Sequence, residues 1–458
     1  MKHLIPLLFL SLALHAQLRE VAHNSILLPE GVQEDLDLIP YEEDVLLVNY
    51  QTDPYGRDRK ISFYKFNGNL EVIWNPIAPL PRFYEPIGQV VSGRSLYHLS
   101  HDKGSKKFHL LDFDLFTHKI TAHSFESLTS LDKIGFSVFK GMPIVYGWYN
   151  DKPVIEIHDL EAKTGKVLPQ VYQKNTELRG LFFNSMRDEI YVLTSSSTTC
   201  IVSLGTYDAN GKLLYRKILG DKKHKLQDFD FTLGSDGTPY LAGTYNSYCA
   251  PLAEGFFFGS LEEPLHFKSL ISFSKYTENL PSRQVRRLEM KRDKGKKIDI
   301  RQKTLFRANG FVSTLEFYQA LSSSAQIQNY QGGSMTVSEN KVNQLMVLEW
   351  DQDGNVVQED VFKIESDPFI RFEPQSALLF TKDQFVPFLP YKRGLSYLID
   401  GKKEFHLLFS PEEPWKVDDG DFSVQTLDFK SLLVYGVAES RPFEAGNQQI
   451  YFIKKLQW

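Results

Sequence analysis

Aromatic residues followed by amides, charged residues or histidine-carboxylate pairs recur about every fifty residues along the chain. An aromatic ring offers an apolar platform and an amide both donates and accepts hydrogen bonds, so this combination suits glycans and peptides. We predict that these residues form one ligand-binding face; the alternative is that each aromatic residue ends a strand and each polar residue starts a solvated loop. The predicted set is Tyr50, Gln51, Arg57, His101, Asp102, Trp148, Tyr149, Asn150, Tyr245, Asn246, Tyr318, Gln319, Tyr391 and Arg393.

An enzymatic alternative remains open, because acidic and basic residues occupy the same loops. Candidates are Asp53, Asp102, Asp151, Arg393 and Glu439, which could cleave a polysaccharide or a peptide. Two carboxylates, or a carboxylate and a histidine, within about 6 to 9 Å of each other would favour it. The chain contains no glycine-rich phosphate loop, nucleophile elbow or His-Glu-x-x-His pair. The sequence therefore favours binding over catalysis and names no catalytic residue.

The sequence predicts no cofactor and no metal site. Five histidines cluster between His98 and His123, and His98 would face His109 if a hairpin were centred near Lys103. We interpret them as ordinary strand histidines. The acidic segment 351–355 lacks the spaced glycine and glutamate of a calcium loop. We interpret it as a hairpin turn.

One apolar run precedes each of these loops. Eight copies, spaced by about 45 to 50 residues except around residues 275–364, predict eight copies of one unit. Glycine turns before and after each run indicate four short antiparallel strands per unit, which is the count for a β-propeller blade. We predict an all-β, single eight-bladed propeller, with seven blades as the alternative. The runs are Val45–Gln51, Leu96–His101, Ile144–Asn150, Ile190–Ser195, Tyr240–Asn246, Phe311–Gln319, Phe385–Lys392 and Leu432–Ala438.

The blade boundaries leave the last unit one strand short. We predict that Val21–Leu28 supplies this outer strand and closes the ring, which removes a free sheet edge. Blades are expected at 31–79, 80–126, 127–173, 174–221, 222–274, 275–364, 365–411 and 412–458.

Blade six is almost twice the usual length because of insertions at about 276–303 and 321–342. The first is rich in arginine and lysine and could dock an anionic partner, although a solvated charged segment is the commoner outcome. The second is polar and contains Gly332 and Gly333, so we expect a flexible loop.

Cys200 and Cys249 are the two cysteines of the chain. Each lies nine residues after an equivalent tyrosine, Tyr191 or Tyr240, of consecutive repeats. Equivalent loops of neighbouring blades lie side by side, so a disulfide is expected, with two unpaired thiols as the alternative.

Residues 1–16 resemble a secretory signal peptide: a basic start, an apolar stretch and a small residue at Ala16. We therefore expect an exported protein of the periplasm or cell surface, with residues 17–458 forming a single propeller domain. No later segment is long and apolar enough to suggest a transmembrane helix. The net charge of -5 gives no reason to expect nucleic acid as a partner. The expected partner is a glycan, peptide or protein.

The layout also resembles that of secreted propeller-forming repeat proteins of Bacteroidetes-like bacteria. Its clearest match is Gly310–Val312, followed after an insertion by Leu345–Asn355 with an Asp-Gly-Asn turn. The resemblance implies a propeller fold and an exported location. It implies no catalytic residue.

Overall fold

The computed structural model describes residues 18–28, 33–52, 59–220, 224–247, 249, 253–262, 266–272, 282, 286, 290, 300–307, 310–328, 334–364, 366, 375–381, 384–399, 401–418, 422–428, 430–441 and 448–458. These residues form eight antiparallel sheets, six of four strands and two with one extra short strand. The sheets are the blades of a ring, so the prediction of an eight-bladed β-propeller is confirmed. No helix in the described residues is long and apolar enough to cross a membrane.

The first four blades follow one another in sequence, and their strands are numbered in chain order after the N-terminal strand β1 (Arg19–Leu28). Blade one contains β2 (Gln33–Tyr41), β3 (Asp44–Thr52), β4 (Arg59–Phe66), β5 (Val72–Trp74) and β6 (Ile77–Pro79). Blade two contains β7 (Tyr84–Ser92), β8 (Ser95–Asp102), β9 (Lys107–Asp114) and β10 (Lys119–Glu126). Blade three contains β11 (Asp132–Phe139), β12 (Met142–Tyr149), β13 (Lys152–Asp159) and β14 (Thr164–Val167). Blade four contains β15 (Thr176–Asn184), β16 (Glu189–Ser196), β17 (Val202–Asp208) and β18 (Leu213–Leu219).

Blades five to seven keep the same strand order, and blade eight takes its outer strand from β1. Blade five contains β19 (Lys225–Leu233), β20 (Pro239–Asn246), β21 (Gly255–Ser260) and β22 (His266–Ser272). Blade six contains β23 (Ile300–Arg307), β24 (Gly310–Gln328), β25 (Ser334–Asp351) and β26 (Val356–Phe362). Blade seven contains β27 (Ala377–Thr381), β28 (Gln384–Tyr391), β29 (Gly394–Ile399) and β30 (Lys402–Leu407). Blade eight contains β31 (Trp415–Lys416), β32 (Phe422–Asp428), β33 (Ser431–Ser440) and β34 (Gln449–Gln457).

The repeated apolar runs form the second strand of every blade. Both faces of such a strand pack against neighbouring blades, so the runs are continuously apolar rather than alternating. All eight residues of β20 are buried, for example, whereas β10 at the outer edge is largely exposed and exposed residues alternate with half-buried ones along most of the outer strand β18. The core therefore consists of apolar clusters between adjacent blades.

The ring closes through the N-terminus. Strand β1 pairs antiparallel with β34, from Arg19 opposite Gln457 to Leu28 opposite Gln449. The Lys454 ammonium lies 2.8 Å from the Glu20 carboxylate, which adds an ion pair to this closure. The predicted closing strand is therefore present.

Blade six departs from the expected flexible loop. Strands β24 and β25 continue beyond the sheet as a two-stranded hairpin, with Ser324 opposite Ser338 and Gln328 opposite Ser334. Apolar residues alternate with polar ones along both arms, which favours strand pairing over a loop. The other insertion ends earlier than expected, because β23 begins at Ile300. Most of its basic residues lie outside the described part of the chain.

Candidate functional site

The upper face of the propeller is the end of the blades that carries the loops between second and third strands and the connectors between blades. The first strand of each blade begins at this face, because strand direction alternates within each blade. An open cleft of about 670 Å³ lies on it over blades three to six. Its lining residues are Lys133, Trp148, Glu177, Leu178, Arg179, Gln227, Asp228, Phe229 and Ile300.

Three consecutive first strands carry a β-bulge beside this cleft. The register of β11, β15 and β19 shifts between Asp132 and Gly135, Leu178 and Gly180, and Leu226 and Phe229. A bulge leaves a residue unpaired and turns its side chain away from the regular ladder. The residues inside these shifts include Lys133, Arg179, Gln227 and Asp228, and all four line the cleft.

Two glycines of the second strands make room for the bulges. A Cβ atom on Gly243 would lie 2.3 Å from the carbonyl oxygen of Asp228, and one on Gly147 would lie 2.6 Å from that of Asp132. Contacts this short do not occur in folded proteins, so any larger residue would displace the bulge. These glycines therefore help to place Asp228 and Lys133.

Arg179 is the centre of the charged groups in the cleft. Its Nη2 donates a 2.6 Å hydrogen bond to the carbonyl oxygen of Gln227. The nearest carboxylate oxygens, on Glu177 and Asp228, are each 3.8 Å from the guanidinium. Their side chains are 53% and 44% exposed, and ion pairs this long and exposed contribute little to stability. Both carboxylates can therefore pair with a ligand.

Aromatic rings complete the lining. Trp148 faces the ammonium of Lys133, which lies 6.0 Å from the ring centroid. Phe229 faces the guanidinium of Arg179 at 5.9 Å. The cleft thus combines positive charge, negative charge, an amide and two apolar rings.

A disulfide forms one wall of an adjoining pocket of about 370 Å³ that shares Glu177, Arg179, Gln227, Asp228 and Ile300 with the cleft. Cys200 and Cys249 come from the second-to-third-strand loops of blades four and five, and their Cα atoms are 5.4 Å apart. This separation is within the range that a disulfide spans. The bond links blades four and five covalently beside the cleft.

The residues of blade three that the sequence predicted as ligand contacts lie at or near this cleft. Trp148 lines it, whereas the exposed Tyr149 stacks on Tyr172 with ring centroids 6.3 Å apart. Asn150 has a φ of 50° and Asp151 one of 57°. Asparagine and aspartate tolerate this left-handed conformation, so the pair forms a tight two-residue turn that leaves Tyr149 uncovered.

The predicted contacts of blades one and two are engaged within their own blades. Tyr50 and Gln51 are half-buried, and burial raises the pKa of the Tyr50 hydroxyl. The Nε2 atom of His101 lies 2.9 Å from the carbonyl oxygen of Ser105. Asp102 is half-buried at the end of β8.

The predicted contacts of blades five and six are largely in the core. Tyr245 and Asn246 are buried, and burial raises the pKa of Tyr245. Tyr318 is 6% exposed and donates a 2.6 Å hydrogen bond to Glu316. Arg57 and the side chain of Gln319 lie outside the described residues.

The two predicted contacts of blade seven are more accessible. Tyr391 is half-buried, with the Lys403 ammonium 4.4 Å from its ring centroid. Arg393 is exposed and lines a different cleft, which is considered below.

Sequence reasoning missed most of the cleft because it considered only the loops after the second strands. Lys133, Glu177, Arg179, Gln227 and Asp228 all lie near the starts of first strands instead. The available signal was a pair of glycines in the apolar runs, Gly147 and Gly243, at the point where a bulge needs room.

In the part of the chain that the structure describes, the histidines of blade two do not form a metal site. His98 pairs with Leu111 rather than His109, and no group of three metal-ligating side chains occurs among the described residues. Burial, with His109 nearby, lowers the pKa of His98 to about 4. The Glu177 and Asp228 carboxylates each lie 3.8 Å from the Arg179 guanidinium.

No protein-family model and no curated protein matches the chain. Similar solved structures include a prolyl endopeptidase, with 11% identity, a TM-score of 0.42 and coverage of 93% of this chain and 54% of that one. The Dos1 propeller has 10% identity, a TM-score of 0.39 and coverage of 95% and 94%. The periplasmic gluconolactonase of Pseudomonas aeruginosa has 11% identity, a TM-score of 0.34 and coverage of 68% and 94%. The chain spans about half the length of the prolyl endopeptidase, and similarities this low say nothing about ligands or reactions.

Proposed function

We propose that this protein is an exported, non-enzymatic binding propeller of the periplasm or cell surface. The cleft over blades three to six, here called the peptide cleft, holds an extended peptide segment, free or part of a protein, that carries side chains of both charges. The signal-peptide pattern of residues 1–16 supports export. Peptides are one of the ligand classes that the sequence favours.

The observation that carries the proposal is the convergence of bulged residues from three adjacent blades on one cleft. Lys133, Arg179, Gln227 and Asp228 leave the regular ladder, so they contribute less to packing between blades than regular residues do. Bulges interrupt ladder hydrogen bonds and are frequent beside binding sites. Three of them aimed at one opening favour a role in recognition.

A mixed-charge peptide fits this lining better than a uniformly charged ligand. Glu177 and Asp228 can accept a lysine or arginine, and Lys133 can pair with an acidic side chain. Gln227 suits a peptide bond, and Trp148 offers a surface for an apolar or cationic side chain. A volume of about 670 Å³ lies within the range typical of small-ligand sites.

The test is a peptide array on the mature protein at low salt, followed by calorimetric titration of the best binder. Arg179→Ala and Lys133→Ala are each expected to weaken binding about tenfold or more, because each removes a charged contact. Arg82→Ala is the matched control, since Arg82 is exposed on the same upper face, on the connector between blades one and two. Its affinity should equal that of the wild type.

An equal loss of peptide affinity in the Arg82→Ala control and in the cleft variants would contradict the proposal. The proposal would also be contradicted if the selected peptide bound Arg179→Ala, Lys133→Ala and Trp148→Ala with wild-type affinity. In this test all three variants must retain the wild-type urea midpoint. The enzymatic alternative is tested on the same samples by mass spectrometry. Cleavage of a bound peptide or glycan that Glu177→Gln or Asp228→Asn abolishes would replace binding with catalysis.

A further inference from the structure

A second cleft, here called the acidic-sugar cleft, opens on the upper face between blades seven and eight. Its volume is about 480 Å³, and it shares no lining residue with the peptide cleft. Arg393 comes from the turn between β28 and β29, and Arg441 follows β33. Trp415 and Lys416 lie on the connector between the two blades, on the short strand β31.

The charge of this cleft is positive and poorly neutralised. Arg441 donates its guanidinium hydrogen bonds to the carbonyl oxygens of Pro411 and Ser410, the latter at 2.9 Å. These partners are neutral, so the charge of Arg441 persists. Among the residues that the structure describes, neither Arg393 nor Arg441 has a carboxylate oxygen within 4.0 Å.

Lys416 is the third cation. Its ammonium is 3.7 Å from Asp418 and 3.8 Å from Glu439, and the three side chains are at least 30% exposed. Such pairs are weak and yield readily to a competing anion. The cleft therefore keeps a local excess of positive charge on a protein whose overall charge is -5.

The walls of the acidic-sugar cleft are apolar and rigidly held. Trp415 is half-buried against the core of blades seven and eight, and it is paired with Ser440 of β33. The ring of Phe409 packs on that of Phe452, with centroids 5.0 Å apart. The Lys454 ammonium lies 4.3 Å from the centroid of the Phe409 ring. Leu407, at 41% exposure, adds an accessible apolar edge. An apolar wall beside positively charged side chains suits a sugar ring that bears a carboxylate.

We propose that the acidic-sugar cleft binds uronic acid residues of an acidic oligosaccharide. The exposed Arg393 forms a bidentate contact with a sugar carboxylate, and Arg441 and Lys416 supply long-range attraction. The apolar faces of the sugar rings pack on Trp415. Because this cleft and the peptide cleft share no residue, the two proposals stand or fall separately.

The test uses calorimetric titration of the mature full chain with tetragalacturonate and with its fully methyl-esterified form. The ester keeps the rings and removes the charge, so its affinity should be at least tenfold lower. Arg393→Ala and Trp415→Leu should each weaken tetragalacturonate binding about tenfold. The matched control is Arg216→Ala, an exposed arginine on the outer strand of blade four, which should bind as the wild type does.

Three results would overturn the proposal. Equal affinity for the acid and the ester would exclude recognition of the carboxylate. If Arg393→Ala bound tetragalacturonate with wild-type affinity and Arg179→Ala lost this binding, the sugar site would be the peptide cleft. Hexaglutamate that binds as tightly as tetragalacturonate, and competes with it, would identify the cleft as a site for acidic peptides. If Arg393→Ala lowers the urea midpoint, Arg393→Gln replaces it. This substitution removes the charge from an exposed turn and leaves the packing intact.

Discussion

The buried carboxylate of Glu156 is expected to be a major contributor to the stability of the blade two to three junction. It lies on β13 and is fully buried. Its Oε2 accepts hydrogen bonds from Ser127 Oγ and the Leu128 amide, both at 2.9 Å, and its Oε1 accepts from the Thr129 amide at 3.1 Å and the Thr129 hydroxyl at 2.7 Å. His158 Nε2 is 3.2 Å away. One side chain thus fixes the connector that leads into β11.

The substitution Glu156→Gln keeps the shape and places an NH₂ group where one carboxylate oxygen was. The Ser127 hydroxyl and the His158 ring can turn to accept from that group. A backbone amide cannot, so either Leu128 or Thr129 keeps an unsatisfied N–H. Losing a hydrogen bond to a charged group costs about 1.5 to 3 kcal/mol, and weaker bonds at the remaining oxygen add to this. We expect a loss of about 2 to 4 kcal/mol in the free energy of unfolding.

The same contact predicts a pH dependence. Burial alone would raise the pKa of Glu156, but the hydrogen bonds from His158, Thr129, Leu128 and Ser127 together outweigh it and lower the pKa. A carboxyl whose folded pKa is depressed stabilises the protein above its unfolded pKa of about 4.3, and this contribution is lost as pH falls through the folded pKa. The difference between wild type and Glu156→Gln should therefore be full at pH 7 and shrink below about pH 4.

Urea unfolding followed by tryptophan fluorescence, at a series of pH values from 7 to 3, measures both effects. Glu126→Gln is the control, because Glu126 is exposed on the outer strand of the neighbouring blade two and should change stability by less than about 0.5 kcal/mol. A Glu156→Gln variant as stable as this control at pH 7 would refute the reasoning. A difference that stays constant down to pH 3 would refute the charge assignment alone.

Three further perturbations follow from the fold. Alkylation without reductant should leave the mass unchanged, and reduction of the Cys200–Cys249 bond should lower the free energy of unfolding by up to about 4 kcal/mol, the loop-entropy value for a separation of 49 residues. Removing residues 17–28 exposes the edge of the last blade and should lower the melting temperature and promote aggregation, and adding these residues back as a peptide should reverse part of the loss. Gly243→Ala should displace the bulge at Asp228 and weaken both thermal stability and binding in the peptide cleft, as a paired melting and titration experiment would show.

The fold was predictable because the second strand of each blade is packed on both faces, which leaves a continuous apolar run in the sequence. The cleft was less predictable because the same position of the repeat is exposed in one blade and buried in another. Tyr149 is the last residue of β12 and is 36% exposed, whereas Tyr245 is the last residue but one of β20, lies against Gly255 of β21 and is 9% exposed. A single repeat pattern cannot distinguish these outcomes. Bulges cannot be recognised in the sequence either, because a bulge is defined by the register between two paired strands.

The bulges beside the peptide cleft are not a requirement of the propeller fold. The first strands of blades one, six and seven pair with their neighbours without a register shift, so this fold does not require a bulge. Blade two has one, and it delivers Ile87 to the core. The bulges of the next three blades deliver Lys133, Arg179 and Asp228 to solvent instead. Each bulge interrupts ladder hydrogen bonds, and the blade three bulge also packs Ile134 against the core cluster that Ile87 contacts. Under the proposed function, these three neighbouring bulges allow one ligand to contact all three charges.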